Sequence, residues 1–63
     1  MKKTPAQVFK TTRKRLSLTQ KEVADKAGLF PNTYARIERG DQKPKFETIQ
    51  DIAKALGISL SDL

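Results

Sequence analysis

The chain lacks cysteine and histidine altogether. Those two absences exclude a zinc site and a disulfide framework. They also remove the thiolate nucleophile and the imidazole base on which much enzymatic catalysis depends. A chain without cysteine fits a reducing compartment, and a cytoplasmic location is the expectation. No apolar run approaches the ~20 residues that cross a bilayer, so no membrane association is expected. The opening residues MKKTPAQVFK carry two lysines but no apolar segment, so no secretory signal is expected either. Acids are missing from the first third: between Met1 and Lys21 every ionisable side chain is basic, and the first carboxylate is Glu22.

What is present is short and positively charged. At 63 residues the chain is expected to form a single domain, 1–63. A domain of this size buries only ~60% of its unfolded surface and is of marginal stability. It has no room for a catalytic cleft beside a separate ligand domain. Thirteen Lys and Arg against seven Asp and Glu give a net charge of +6, and the pI is about 10.0. Such an excess suits a polyanionic partner. It also suits a solvated surface kept positive for solubility, and charge alone does not separate the two.

Helical signals account for nearly the whole chain. Thr4-Pro5-Ala6-Gln7 combines an N-cap threonine, proline at the first helical position and glutamine at the third. A first helix then runs to about Leu16, with Pro5, Phe9, Thr12, Arg13 and Leu16 on one stripe and Val8 at its edge. Thr19 and Glu22 form a second capping box. The helix they start spans about Gln20 to Ala27, with Val23, Ala24 and Ala27 inward and Gly28 as a left-handed terminator. A third helix starts at Pro31 and ends at Gly40. It turns Tyr34, Ile37 and Glu38 to one side and Asn32 and Arg36, one turn apart, to the other. After the polar loop Asp41–Lys45, a fourth helix covers about Phe46 to Leu56, with Phe46, Ile49, Ile52, Ala53 and Leu56 on one face. Gly57 stops it. Ser59 suits the cap of a final short helix, which makes five. Met1 to Lys3 reads as a frayed tail. Strand alternation, internal repeats and interdomain linkers are not evident.

Gln20, Glu22, Ala24, Gly28, Ile37-Glu38-Arg39-Gly40, Pro44 and Ala53-Lys54-Ala55-Leu56-Gly57-Ile58-Ser59 together resemble the lambda-repressor/Cro type of helix-turn-helix domain, the Xre family. The resemblance runs from about Val8 to Leu63. The Ile-Glu-Arg-Gly element alone is weak; its spacing to the capping box upstream and the Ala-Lys-Ala-Leu-Gly segment downstream makes it specific. It implies an all-α, compact five-helix bundle. The implied function is sequence-specific binding of double-stranded DNA by a bacterial or phage-type transcriptional regulator, with recognition helix 31–38 in the major groove.

The third helix has the chemistry such a helix needs: an apolar back and a polar front. Asn32 can pair bidentately with adenine and Arg36 with guanine. The plainer alternative is an ordinary helix-start asparagine and a solvated cation. The resemblance further implies DNA contacts from Thr33, from Gln20 and its cap Thr19 to a phosphate, and from Lys43 and Lys45 in the loop. The start of helix 2, with free N–H groups and partial positive charge, is a natural phosphate seat. The resemblance also implies an ion pair between Arg13 and Glu38, and both lie on the inward stripes read above. Phe30 departs from the family pattern, which places a small capping residue there. Phe30 and the following Pro31 can pack on a thymine methyl; alternatively Phe30 turns into the core or belongs to a protein-contact patch. Relatives bind as twofold dimers, so a homodimer on DNA is implied, or a monomer for the isolated domain. No cofactor is expected.

Two rival readings remain. One is a protein-interaction module, such as an antitoxin-like partner, which Phe30 favours. The other is a small enzyme, but Glu22, Asp25, Glu38, Asp41, Glu47, Asp51 and Asp62 form no evident pair and no glycine-rich phosphate loop exists. The expectation is a protein that is not an enzyme.

Overall fold

The computed structural model describes residues 3–63. Four α-helices follow one another: α1 (Pro5–Arg15), α2 (Gln20–Ala27), α3 (Pro31–Arg39) and α4 (Phe46–Leu56). The expected fifth helix is instead a single 3-10 turn, Leu60–Asp62. Ser59 does cap it, its hydroxyl accepting from the Ser61 amide at 3.2 Å. The turn closes through i→i+3 bonds, Asp62 N to Ser59 O at 2.9 Å and Leu63 N to Leu60 O at 3.2 Å. Three residues do not repay the cost of starting an α-helix, whereas one tight turn needs only those bonds. Of the expected tail Met1–Lys3, Met1 and Lys2 lie outside the described residues.

The start signals act as read. Thr4 and Gln7 exchange bonds of 3.2 and 3.0 Å, and Thr19 and Glu22 do so at 3.0 Å each way. α2 packs on α3 and α4, and α1 packs on the same two helices. Phe9, Val23, Ala24, Ala27, Tyr34, Ile37, Ile52 and Leu56 form the buried centre. Only part of each stripe reaches it. Phe46, expected inward, is 64% exposed. It is the first residue of α4, and helical side chains lean toward the N-terminus, so its ring projects past the helix start and off the core. Pro5 at the first position of α1 is exposed likewise. Leu16 is 45% exposed, because the helix has ended at Arg15 and Leu16, with ψ 0°, has left the helical phase.

One terminator serves all four helices. The residue after the left-handed one sends its N–H back five positions: Leu18 to Arg13 O at 3.1 Å, Leu29 to Ala24 O at 2.8 Å, Asp41 to Arg36 O at 2.9 Å and Ile58 to Ala53 O at 2.9 Å. This geometry needs a left-handed residue just before. Gly28 supplies it in the turn between α2 and α3 at φ 73°. After α1 the position falls to Ser17 at φ 58°, the one described non-glycine with positive φ. Leu18, Leu29 and Ile58 then fold back against the core.

Candidate nucleic-acid interface

α3 is clamped by its back. Tyr34, Ile37 and Glu38 are buried, and that fixes the opposite side toward solvent. Pro31, Asn32 and Arg36 are exposed, and Thr33 is half-buried. Asn32 and Arg36 stand one turn apart, about 5–6 Å between their Cβ atoms, so their polar heads form one surface. No carboxylate occurs in the sequence from Lys26 to Ile37. Lys21 and Arg39 are drawn into exposed pairs with Asp25 at 2.9 Å and Asp41 at 3.0 Å. Arg36 makes no ion pair among the described residues, so its guanidinium fork is available.

The clamp is an ionic network. Arg13 Nε donates to Glu38 Oε2 at 2.8 Å and Nη2 to Oε1 at 2.9 Å, while Nη1 donates to the Leu18 carbonyl at 2.9 Å. The Glu38 side chain is 1% exposed and that of Arg13 13%. A bidentate geometry of this kind is the strong form of the interaction. Gln20 is a third member that sequence reasoning missed: its Nε2 donates to Glu38 Oε1 at 3.1 Å. The first residue of α2 is thereby tied to the end of α3. The second amide hydrogen and the carbonyl oxygen of Gln20 keep no partner among the described residues.

Burial pushes the Glu38 carboxyl up, but the bonds from Arg13 in first place, then the nearby Tyr34 hydroxyl and the bond from Gln20, more than offset this and hold it below its usual range. The same bond raises the Arg13 guanidinium further against a smaller cost of burial. The Tyr34 hydroxyl stands close enough to feel the carboxylate, yet has no partner in hydrogen-bonding geometry. Burial first, then Glu38, pushes it far above the ordinary tyrosine range, so it stays a neutral donor.

The start of α2 is less open than the sequence suggested. The Glu22 carboxylate already occupies part of it, accepting from Thr19 N, while the Thr19 hydroxyl accepts from Glu22 N. Those bonds hold Glu22 below its ordinary carboxylate range, so it is charged. The amides of Gln20 and Lys21 remain without an intrahelical acceptor. α3 and α4 start without any side-chain cap, at Phe30 and Lys45. Lys43 and Lys45 are exposed, and neither is joined to the α3 face by a hydrogen bond or ion pair. Of the three alternatives for Phe30, the inward one is overturned: the ring is 80% exposed. Helix-first geometry places it at the N-cap, where its extended backbone aims the side chain away from the core.

The remaining features offer no chemistry of their own. An open groove of about 420 Å³ lies between the start of α1 and the 41–45 loop, lined mainly by Pro5, Ala6, Ile37, Pro44 and Ile49 with Lys43 beside them. Among the described residues no cluster of three or more acids could hold a metal ion. None of the described helices is long and apolar enough to cross a membrane.

Comparison with known proteins places this geometry. A helix-turn-helix family model matches residues 9–63. The chain is 44% identical over 46 residues to the cryptic phage CTXphi transcriptional repressor RstR of Vibrio cholerae, covering 73% of this chain and 41% of that protein. It is 41% identical over 58 residues to the immunity repressor protein of Bacillus phage phi105, covering 92% of this chain and 40% of that one. It is 33% identical over all 63 residues to the uncharacterized HTH-type transcriptional regulator y4dJ of Sinorhizobium fredii, with 82% of that protein covered. The chain thus spans about two fifths of the two phage repressors. No solved structure gives a significant match.

Proposed function

The chain belongs to the helix-turn-helix family, in its lambda-repressor/Cro form, and from that premise we propose that it binds double-stranded DNA as a transcriptional regulator, acting as a repressor. The observation that carries this reading is the outward side of α3, where Asn32 and Arg36 stand exposed and unpaired in an acid-free stretch above a buried back. A B-DNA major groove is about 12 Å wide and admits one helix in that attitude. Arg36 forks to a guanine, Asn32 pairs with an adenine, and Thr33 contacts a neighbouring base. Phe30 and Pro31 lead the helix into the groove and touch its floor without hydrogen bonds.

Position comes from the phosphates rather than the bases. The Thr19 hydroxyl, the Gln20 amide and the free N–H groups at the start of α2 hold one phosphate. The Glu22 carboxylate tempers that seat, which shifts more of the electrostatic attraction to Lys43 and Lys45. Gln20 keeps its second amide hydrogen for the phosphate while the first stays on Glu38. A single copy reads only a few base pairs. Two copies on half-sites one turn apart, about 34 Å, supply the specificity a regulator needs. The protein acts in the cytoplasm, where its DNA is, and performs no catalysis. The phage repressors among its relatives support this reading over a protein-interaction module.

Selection of duplexes from a random pool tests it. The expected product is a short shared sequence containing an adenine and a guanine within one half-site, repeated with twofold symmetry. Recovery of no shared sequence at low salt would refute the proposal.

A further inference from the structure

Phe30 is the most exposed large apolar residue among the described residues, at 80% against 40–64% for Leu16, Phe46 and Leu60. The fold gains nothing from its ring. At the N-cap, Ser, Thr, Asp or Asn would bond a free helix N–H, as Thr4, Thr19 and Ser59 do elsewhere in this chain. Phe30 makes no such bond. Its neighbour Pro31 has neither an N–H nor a polar side chain. The two form an apolar tip at the end of α3, set in the stretch from Lys26 to Ile37 that holds no acid.

We infer that Phe30, backed by Pro31, reads the C5-methyl group of a pyrimidine in the major groove, accepting thymine and 5-methylcytosine and disfavouring uracil and cytosine at one position per half-site. This rests on the DNA-binding reading above. The thymine methyl is the one apolar group that the base edges present in the major groove, and a hydrogen-bond-free surface has nothing else there to recognise. 5-Methylcytosine carries the same methyl at the same carbon, so the ring treats the two alike. Phe30 is the N-cap of α3 and Asn32 lies two residues further along, so the ring stands at the leading end of the helix, ahead of the two polar readers.

The experiment takes the duplex recovered from the random pool. Each thymine is replaced singly by deoxyuridine, which removes the methyl and no hydrogen-bonding group, and each cytosine by 5-methylcytosine. One thymine in each half-site should weaken binding about fourfold on losing its methyl. Cytosine at that position should bind as the deoxyuridine duplex does, and 5-methylcytosine should restore the thymine affinity. Phe30→Ala should bind the thymine and deoxyuridine duplexes equally. Phe30→Ser should do the same while raising the thermal midpoint through a restored cap, which shows that the loss is not misfolding. Binding indifferent to every methyl, or a methyl preference that survives Phe30→Ala, would overturn the inference while leaving the DNA reading intact. Failure to retain any duplex at low salt would overturn both.

Discussion

Replacing Glu38 by glutamine should cost this domain a large part of its stability. The substitution preserves shape but removes the charge on which Arg13 Nε and Nη2 converge at 2.8 and 2.9 Å. Arg13 is left a cation with only 13% of its side chain exposed and the Leu18 carbonyl as its remaining full acceptor. Breaking a buried pair by removing one partner costs ~3–5 kcal/mol. The low end applies, because the glutamine oxygen can still accept one bond and Arg13 touches solvent. A 63-residue domain has a total stability of ~3–9 kcal/mol. A loss of ~3 kcal/mol should lower the thermal midpoint by ~12–24 °C, followed by circular dichroism, with a matching fall in the urea midpoint. The double substitution Arg13→Met with Glu38→Leu should recover most of the loss, since an apolar pair of similar volume leaves no orphan charge. A loss under ~1 kcal/mol for Glu38→Gln would show a solvent-screened pair and refute the clamp.

Further outcomes follow from the same structure. Ser17→Gly should stabilise by about 0.5–1 kcal/mol, because the φ of 58° strains a side chain but not glycine; no gain in urea denaturation would count against the strain. The depressed Glu38 and Glu22 carboxyls contribute stability that is complete above their ordinary value of 4.5 and lost as pH falls through their lower folded values. Acid titration should therefore unfold the wild type progressively below about pH 4.5, and Glu38→Gln should show a shallower acid limb. Arg36→Ala should cost ~1–3 kcal/mol on the preferred duplex and relax preference at one position, whereas Lys43→Ala should weaken all duplexes alike; equal losses of specificity would reverse the assigned roles. Binding should fall with salt at a log–log slope of ~−3.6 for about four neutralised phosphates, and a flat response would be incompatible with phosphate contacts.

The helices were legible because their boundaries are written in local chemistry. Thr4 with Gln7 and Thr19 with Glu22 announce starts, and Gly28, Gly40 and Gly57 announce stops. Periodicity also placed Glu38 and Arg13 on inward stripes, and the family resemblance paired them, as the structure has them. It failed at helix ends, for a geometric reason. Phe46 and Leu16 share the spacing of their stripes, but the stripe passes beyond the core before it reaches them. The core packing of Leu18, Leu29 and Ile58 was not read because they follow the helices rather than belong to them. Their signal was an apolar residue just past a left-handed terminator, a position that folds back on the last turn. Ser17 hid the first of these, since serine does not advertise a positive φ. The Gln20–Glu38 bond was invisible for a different reason: it depends on how closely the start of α2 approaches the end of α3, and no spacing along the chain encodes that distance. The outward character of Asn32 and Arg36 was readable from the phase of Tyr34 and Ile37. What they touch depends on the partner's geometry, which the chain specifies only by complementarity.

The most direct test of the proposed interface is a backbone amide NMR titration of the domain with its selected duplex at low salt. Saturable shifts should concentrate at Phe30, Asn32, Thr33 and Arg36, with a second set at Thr19, Gln20, Lys43 and Lys45, while amides on the outer face of α1 stay still. Shifts gathered on α1 or around the Pro5–Ile49 groove, with α3 unmoved, would contradict the account.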